Sequence, residues 1–307
     1  MRVDKNYFPG WVRKSISFTI DDGNLVYDKK FIDIVKPKGI KGTFNLCLPD
    51  LNKHTPEFYR EFYDGFGIAN HCANHPFALT PDKDRPISDE PFSESTADVT
   101  KLYRTGTENM YRVKVTAGWR NVCTTQTYIE MVKLANIALE QIFGEGSITE
   151  FVWPYGEQAD ATVMSYLSEN FESVRKTGDV GASTGFAIPT DMIHWSNNVR
   201  EKKLLELAEE YEGYSDDGEL KFFCFGLHSI DYERAEKWDD LIAFAEKYGG
   251  RPDTYYYASV RDIFRYRDAV GSLVITDNSV ENPSDIDVYV KIDGKQTVVA
   301  AKSKITL

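Results

Sequence analysis

Short apolar runs alternate with longer amphipathic stretches over most of the chain. Residues 14–20 alternate polar and apolar side chains, which predicts a half-buried strand ahead of a helix at about 28–35. The same order of strand and helix returns at 42–47 and after Pro56, and residues 125–143 carry apolar side chains at helical spacing. Such alternation predicts a parallel sheet, closed or nearly closed, with helices outside.

This rhythm breaks in two places. From about 76 to 122, proline, Ser/Thr/Asp clusters and scattered aromatics replace it, and the segment is longer than a normal connection. We interpret it as an insertion over one end of the domain, where long loops are often functional. After residue 269 the chain shows strand-like runs with Asp293-Gly294 as a hairpin turn. We therefore predict a barrel domain over 1–269 and a small β appendage over 270–307.

Composition and charge limit the class of protein. Of the 307 residues, 42% are hydrophobic and 27% are charged, as in a soluble globular protein. A net charge of −12 argues against nucleic acid and against an anionic membrane surface, and no apolar run approaches the roughly 20 residues of a membrane span. No apolar signal core follows the first residue, so the cytoplasm is the expected location, although a processed N-terminus would read the same. The sequence does not indicate an oligomeric state.

The four cysteines lie far apart, without paired spacing. Two of them fall in strand-like apolar runs. This distribution favours buried thiols in a reducing compartment over a disulfide framework or a zinc cluster.

Candidate chemistry begins with two adjacent carboxylates, Asp21 and Asp22, at the end of the first predicted strand. They repel each other and are costly to bury unless a cation or partner stabilises them. A solvated turn would be the better interpretation if they stood alone. His71 and His75, however, are four residues apart, and on one helical turn they would share a face and could hold one ion. One carboxylate with two imidazoles would leave a position for water, as in a catalytic metal site.

Further unusual residues also fall where predicted strands end. In a barrel of parallel strands, functional side chains gather at the strand C-terminal ends. Each such residue alone has an ordinary explanation as a turn or a core residue, but their coincidence at one rim predicts a site. Besides Asp21, Asp22 and His71, they are Trp153-Pro154-Tyr155-Gly156, Trp195 and His228.

These residues, in this order, resemble the NodB-type polysaccharide deacetylases of carbohydrate esterase family 4. The agreement runs from about Trp11 to Tyr266. The motifs that carry it are Phe18-Thr19-Ile20-Asp21-Asp22-Gly23, His71 to His75-Pro76, Trp153-Pro154-Tyr155-Gly156 and Leu227-His228. The resemblance implies a distorted (β/α) barrel that removes acetyl groups from N- or O-acetylated sugars. It also implies a divalent metal, usually zinc, held by Asp22, His71 and His75.

The resemblance also implies roles for the other motif residues. Asp21 would be the general base that deprotonates the attacking water, and His228 the general acid that protonates the leaving amine or alcohol. The backbone N–H of Tyr155 would stabilise the tetrahedral oxyanion. The implied substrate-binding residues are Trp153, Pro154, Trp195 and Leu227, with Trp195 and Leu227 lining a slot for the acetyl methyl group.

Two positions depart from the family pattern. The family commonly carries an arginine where this chain has Val152, paired with an aspartate where this chain has His194. One partner alone would leave a buried unpaired charge that costs about 3–5 kcal/mol. The joint absence therefore predicts a variant subfamily with a differently supported catalytic base.

Other functions remain open at the level of sequence. The same fold could hydrolyse a non-carbohydrate amide, such as a cyclic imide or ureide. A non-catalytic glycan-binding module on a retired enzyme scaffold would predict eroded metal ligands, yet Asp22, His71 and His75 all remain. An iron oxygenase with a two-histidine, one-carboxylate triad finds no other matching feature.

Overall fold

The computed structural model describes residues 2–48, 53–78, 85–115, 118–156, 160–176, 185–197 and 203–306. Its strands are β1 (Val3–Tyr7), β2 (Lys14–Asp22), β3 (Thr43–Leu46), β4 (Gly67–Asn70), β5 (Phe77–Ala78), β6 (Ile87–Ser88), β7 (Leu102–Arg104), β8 (Met110–Val115), β9 (Gly118–Cys123), β10 (Glu150–Val152), β11 (Ser173–Lys176), β12 (Trp195–Ser196), β13 (Lys221–His228), β14 (Tyr255–Tyr257), β15 (Val274–Thr276), β16 (Ser279–Asn282), β17 (Val288–Ile292), β18 (Lys295–Val299) and β19 (Ser303–Thr306).

The helices are α1 (Leu25–Val35), α2 (Pro56–Phe62), α3 (Thr125–Phe143), α4 (Ala161–Asn170), α5 (Leu204–Gly213), α6 (Ser229–Arg234), α7 (Trp238–Tyr248) and α8 (Val260–Ser272). A short 3₁₀ helix, Lys36–Lys38, follows α1. Among the described helices, none is both long and apolar enough to cross a bilayer.

An all-parallel sheet of eight strands forms the centre of the described structure. Its order is β12-β11-β10-β4-β3-β2-β13, and β14 pairs with the first half of β2. The sheet curls into a barrel with helices outside, which confirms the predicted fold class. Because all strands run the same way, their C-terminal ends, with Asp21 opposite His228 in register, meet at one rim.

Strand β2 shows how the sequence builds both faces of this sheet. Its apolar positions face the outer helices: the ring of Phe18 packs at 5.2 Å from Phe31 of α1 and 5.4 Å from Phe244 of α7. Its polar positions face inward, where Thr19 and Asp21 both accept hydrogen bonds from Asn45 of β3. The barrel interior below the rim is therefore polar.

The predicted insertion at 76–122 contains a sheet of its own. Its order is β5-β9-β8-β7-β6, and β8 and β9 form a long antiparallel pair from Met110–Cys123 to Val115–Gly118. The sequence analysis predicted no strands in this segment. Part of it, residues 79–84 and 116–117, lies outside the described residues.

The C-terminal residues form two three-stranded antiparallel sheets, β1-β17-β18 and β15-β16-β19. Asp293 and Gly294 join β17 to β18 with positive φ angles of 48° and 84°, as the predicted hairpin turn requires. Strand β1 was not predicted, and it pairs the start of the chain with β17 near the C-terminus. Helix α8 runs through residue 269, and the domain boundary placed there stays a prediction.

Candidate active site

Asp21 and Asp22 end β2 and point to different surroundings. The Asp21 side chain is buried in the barrel, whereas the Asp22 side chain is 47% exposed at the rim. Asp22 has a φ of 79° and Gly23 a φ of 75°, so the chain turns sharply in a conformation that L-residues seldom adopt. The Asp21 carboxylate therefore lies inside the barrel and the Asp22 carboxylate lies at the rim.

The prediction that His71 and His75 share a helical turn is wrong. Cys72, Asn74 and His75 have positive φ angles of 61°, 61° and 48°, and the segment is a turn after β4. Asn70 explains part of this geometry, because its Oδ1 accepts the Cys72 N–H at 2.8 Å and offers the backbone an alternative to a helix. The two imidazoles nevertheless meet, with ring centroids 4.8 Å apart.

The tautomer of His71 follows from its backbone partner. Its Nδ1 lies 2.8 Å from the carbonyl oxygen of Val152, which can only accept, so Nδ1 carries a hydrogen and the neutral imidazole would keep its lone pair on Nε2. This Nε2 is buried without a hydrogen-bond partner among the described residues and lies 3.4 Å from Oδ1 of Asp22. A lone pair that faces a carboxylate oxygen is unfavourable unless a cation lies between them.

His75 completes a set that fits such a cation. Its Nε2 lies 3.5 Å from the same Oδ1 of Asp22. Two ligands bound at about 2.1 Å with a tetrahedral angle are roughly 3.4 Å apart, so both separations suit a zinc-sized ion. Burial, together with neighbouring His71, lowers the pKa of His75 to about 4, and the neutral imidazole keeps its lone pair.

Cys47 is a neighbour of this set that the sequence analysis did not include. Donor atoms of Asp22, Cys47 and His71 all lie within 4.8 Å of one another. The Cys47 thiol donates to the His71 carbonyl oxygen at 3.2 Å. A signal was present in the sequence, because Cys47 directly follows β3, whose last residue, Leu46, is in register with Asp22.

Asp21 is held from inside the barrel by Arg175 of β11. The guanidinium contacts Oδ1 of Asp21 and is only 2% exposed, and Asn45 donates to the same oxygen at 2.6 Å. Burial alone would raise the pKa of Asp21, but the charge and hydrogen bond of Arg175, together with the neighbouring His71 and His228, outweigh burial and hold the pKa below its ordinary value. Oδ2 makes no hydrogen bond with the described residues, so one oxygen of the carboxylate stays available.

Arg175 stands beside the position where the family pattern has its arginine. It is the register partner of Val152 on the neighbouring strand, and its second nitrogen donates to Oδ1 of Asn197 at 2.7 Å. His194, which stands where the family has an aspartate, is instead exposed and bonded to Asp191 at 2.9 Å. The sequence signal for this support of Asp21 was a charged residue, Arg175, within the short strand β11.

His228 ends β13 on the other side of Asp22. Its Nε2 lies 3.7 Å from Oδ2 of Asp22, and its Nδ1 lies 2.8 Å from Oδ2 of Asp231. Burial lowers the pKa of His228, but the hydrogen bond to Asp231 and the charges of Asp21 and Asp22 outweigh it and raise the pKa to about 9. The imidazole is thereby favoured in its protonated form.

Tyr155 connects the rim to the insertion. It has a φ of 60°, so the chain turns sharply after β10, and its ring is 37% exposed. The ring stacks on Phe77 at 4.4 Å and meets the edge of His75 at 4.3 Å, while Arg120 lies 4.9 Å from its centroid. The insertion therefore contacts the turn that carries the Tyr155 backbone.

A family model described as polysaccharide deacetylase matches residues 12–173, more than half of the chain. The chain belongs to the polysaccharide deacetylase family. It is thus a carbohydrate deacetylase, and Asp21, Asp22, His71 and the Trp153–Gly156 turn all lie within the matched segment. The search of curated proteins found no match.

Solved structures give only distant similarities to this deacetylase. A family 4 carbohydrate esterase from Streptomyces lividans is 16% identical, with a TM-score of 0.43, and 79% of this chain and 91% of that chain are covered. A Streptococcus mutans CE4 esterase is 14% identical, with a TM-score of 0.45, and 80% of this chain and 86% of that chain are covered. The peptidoglycan deacetylase PdaC from Bacillus subtilis is 15% identical, with a TM-score of 0.46, and 84% of this chain and 94% of that chain are covered. The family assignment rests on the match over residues 12–173.

The expected substrate-binding residues of the deacetylase have little exposed surface. Trp153, Pro154, Trp195 and Leu227 are all buried. Trp195 donates from its indole N–H to Ser173 and packs its ring 5.1 Å from Phe264, inside the barrel. Contact between these side chains and an acetyl group stays a prediction.

Proposed function

We propose that this deacetylase removes acetyl groups from N- or O-acetylated sugars with a divalent metal, zinc by its donor set, held by Asp22, His71 and His75. The observation that carries the proposal is the buried Nε2 of His71, which has no hydrogen-bond partner among the described residues and faces Asp22 at 3.4 Å. When bound, the ion would lower the pKa of a water to about 7 and polarise the acetyl carbonyl. An acetylated glycan is the proposed substrate.

Asp21 is the proposed general base. Arg175 and Asn45 both hold its Oδ1, which fixes the carboxylate plane and keeps it ionised. Oδ2 is then the oxygen that accepts the proton of the attacking water. Arg175, itself held by Asn197, supports this orientation from β11.

His228 is the proposed general acid. Asp231 holds its Nδ1, and Nε2 lies towards Asp22 at the rim. From Nε2 the imidazolium donates its proton to the leaving amine or alcohol. The backbone N–H of Tyr155 is the proposed donor to the oxyanion that develops on the acetyl oxygen.

The Asp21→Asn variant tests this division of roles. It keeps the shape of the side chain but removes the base, so acetate release from an acetylated-glycan panel should fall by at least about a hundredfold. Metal content should persist, since Asp21 is not a proposed ligand. Asp33→Asn, an exposed carboxylate on α1, is the matched control and should change neither quantity. Undiminished acetate release by Asp21→Asn would overturn the proposed function.

A further inference from the structure

A second cavity lies at the end of the barrel opposite to the candidate active site. It has a volume of about 570 Å³, and its wall includes Glu150 and Ser173, the first residues of β10 and β11. Helix α8 and residues 283–286 of the C-terminal sheets close it from the other side. Since the proposed catalytic residues follow the C-terminal ends of the strands, this cavity is a separate space. Its volume is within the usual range for small-molecule sites.

Glu150 is the buried polar group that opens into this cavity. It is 4% exposed, and its carboxyl group makes no hydrogen bond with the described residues. A buried polar group without a partner is unfavourable, so the native protein gains if something in the cavity bonds to it. Burial raises the pKa of Glu150 to about 8, and the carboxyl group can then donate as well as accept near neutral pH.

Arg261 adds a hydrogen-bond donor group to the same wall, and one of its nitrogens donates to the carbonyl oxygen of Ser147 at 3.2 Å. Its Nε is buried without a hydrogen bond among the described residues, and the nearest carboxylate oxygen, of Glu172, lies 3.7 Å away. Glu150 and Arg261 thus both line the cavity. A hydroxyl group can serve both, because it donates one hydrogen bond and accepts others.

The remaining charges of the wall are largely balanced, which favours an uncharged ligand. Arg265 pairs with Asp285 at 2.8 Å, and Asp268 accepts from Arg267 at 2.8 Å. Apolar side chains that include Met192, Phe264 and Ile286 supply the rest of the wall. Mixed polar and apolar walls of this kind fit a molecule with hydroxyl groups and a carbon framework.

We propose that this cavity binds a neutral polyhydroxylated molecule of monosaccharide or disaccharide size, with Glu150 and Arg261 as its polar anchors. The site is independent of the proposed deacetylation. Its ligand replaces the water that would otherwise meet the buried carboxyl group.

Isothermal titration calorimetry on the full chain tests the proposal, with glucose, N-acetylglucosamine and its disaccharide as probes. Ser272→Trp places a large ring at the cavity mouth from an exposed position at the end of α8. We expect saturable binding of at least one probe to the unmodified chain. Ser272→Trp should weaken it about tenfold or more, equal to about 1.4 kcal/mol.

Ser168→Trp is the matched control. Ser168 is also an exposed helical serine that donates to a carbonyl three residues earlier, at 2.9 Å, as Ser272 does at 2.8 Å. The Ser168→Trp variant should leave binding of the probe unchanged, whereas Glu150→Leu should abolish binding. Cooperative thermal unfolding of Glu150→Leu is measured to show that this variant is folded. Absence of saturable binding to the unmodified chain, or binding that both Ser272→Trp and Glu150→Leu leave intact, would overturn the proposal.

Discussion

The guanidinium of Arg175 contacts Oδ1 of Asp21 inside the barrel, from the strand next to Val152. Both side chains are almost fully buried, at 3% and 10% exposure. Such a pair adds little net stability relative to apolar packing, but loss of one partner leaves a charge that the interior cannot solvate. Arg175 and Asp21 are therefore expected to depend on each other.

Replacement of Arg175 by Gln should leave the Asp21 carboxylate buried in the barrel without its cationic partner. We expect the free energy of unfolding to fall by about 3–5 kcal/mol, as measured by urea denaturation at neutral pH. The double variant Asp21→Asn with Arg175→Gln should recover a large part of this loss, because no buried charge remains. Additive effects of the two substitutions would show that the residues do not act as a pair.

An exchange of positions tests whether Arg175 supports catalysis. Val152 and Arg175 are register partners on adjacent parallel strands, so the Cα of an arginine at position 152 would lie at the same height in the barrel as that of Arg175. Arg175→Val should lose acetate release, and Val152→Arg in that background should restore part of it. A double variant no more active than Arg175→Val would mean that a guanidinium is needed only where β11 places it.

Cys47 should act as a hydrogen-bond donor and not as a metal ligand. Its thiol donates to the His71 carbonyl oxygen, which a hydroxyl can also do, so Cys47→Ser should keep both metal content and acetate release. The cobalt-substituted wild-type protein should show no intense thiolate-to-metal absorption. Loss of metal in Cys47→Ser, together with that absorption in the wild type, would add Cys47 to the ligand set.

Asp28 should make stability depend on pH. It is fully buried, accepts from Ser229 at 2.5 Å and Tyr63 at 2.9 Å, and burial raises its pKa to about 7. Because its pKa in the unfolded chain is about 3.9, the folded protein holds this proton more tightly. The resulting stability is complete below about pH 4 and is lost as the pH rises to about 7.

The Asp28→Asn variant removes this titration. Relative to wild type, its free energy of unfolding should rise across the same pH interval, by up to about 4 kcal/mol for a shift of about three pKa units. Urea denaturation at a series of pH values measures the difference. A difference that stays constant with pH would contradict the assignment of a buried, protonated Asp28.

Tyr155 should contribute to catalysis through its backbone. Tyr155→Ala removes the ring that stacks on Phe77 but keeps the N–H, so kcat should change little while KM rises. Steady-state kinetics on an acetylated oligosaccharide separates the two quantities. A large fall in kcat with KM unchanged would point to the side chain instead.

The sequence predicted the barrel because strand and helix periodicity are local properties. Helix α3 matches its predicted bounds, and the ends of β2 and β13 brought Asp21 and His228 to one rim. Strand β1 was not predicted, since its partner β17 lies almost the whole chain away. Pairings of that kind leave little trace in a local pattern.

Within the site, the motif residues were predictable but their surroundings were not. The turn through His71 and His75 depends on side-chain bonds such as that of Asn70, which helical spacing does not encode. Arg175 supports Asp21 only because β10 and β11 are adjacent in register. The Asn70 bond is local but competes with helix formation, whereas the position of Arg175 is a tertiary fact, and neither follows from the spacing of the motif residues.

The most direct test of the account is metal-dependent acetate release by the purified chain. Elemental analysis and acetate release from acetylated glycans are measured before chelation, after chelation and after zinc is restored, with His71→Ala in parallel. We predict a bound divalent ion, loss of both metal and activity on chelation, recovery with zinc, and neither metal nor activity in His71→Ala. Full acetate release by metal-free protein would contradict the account.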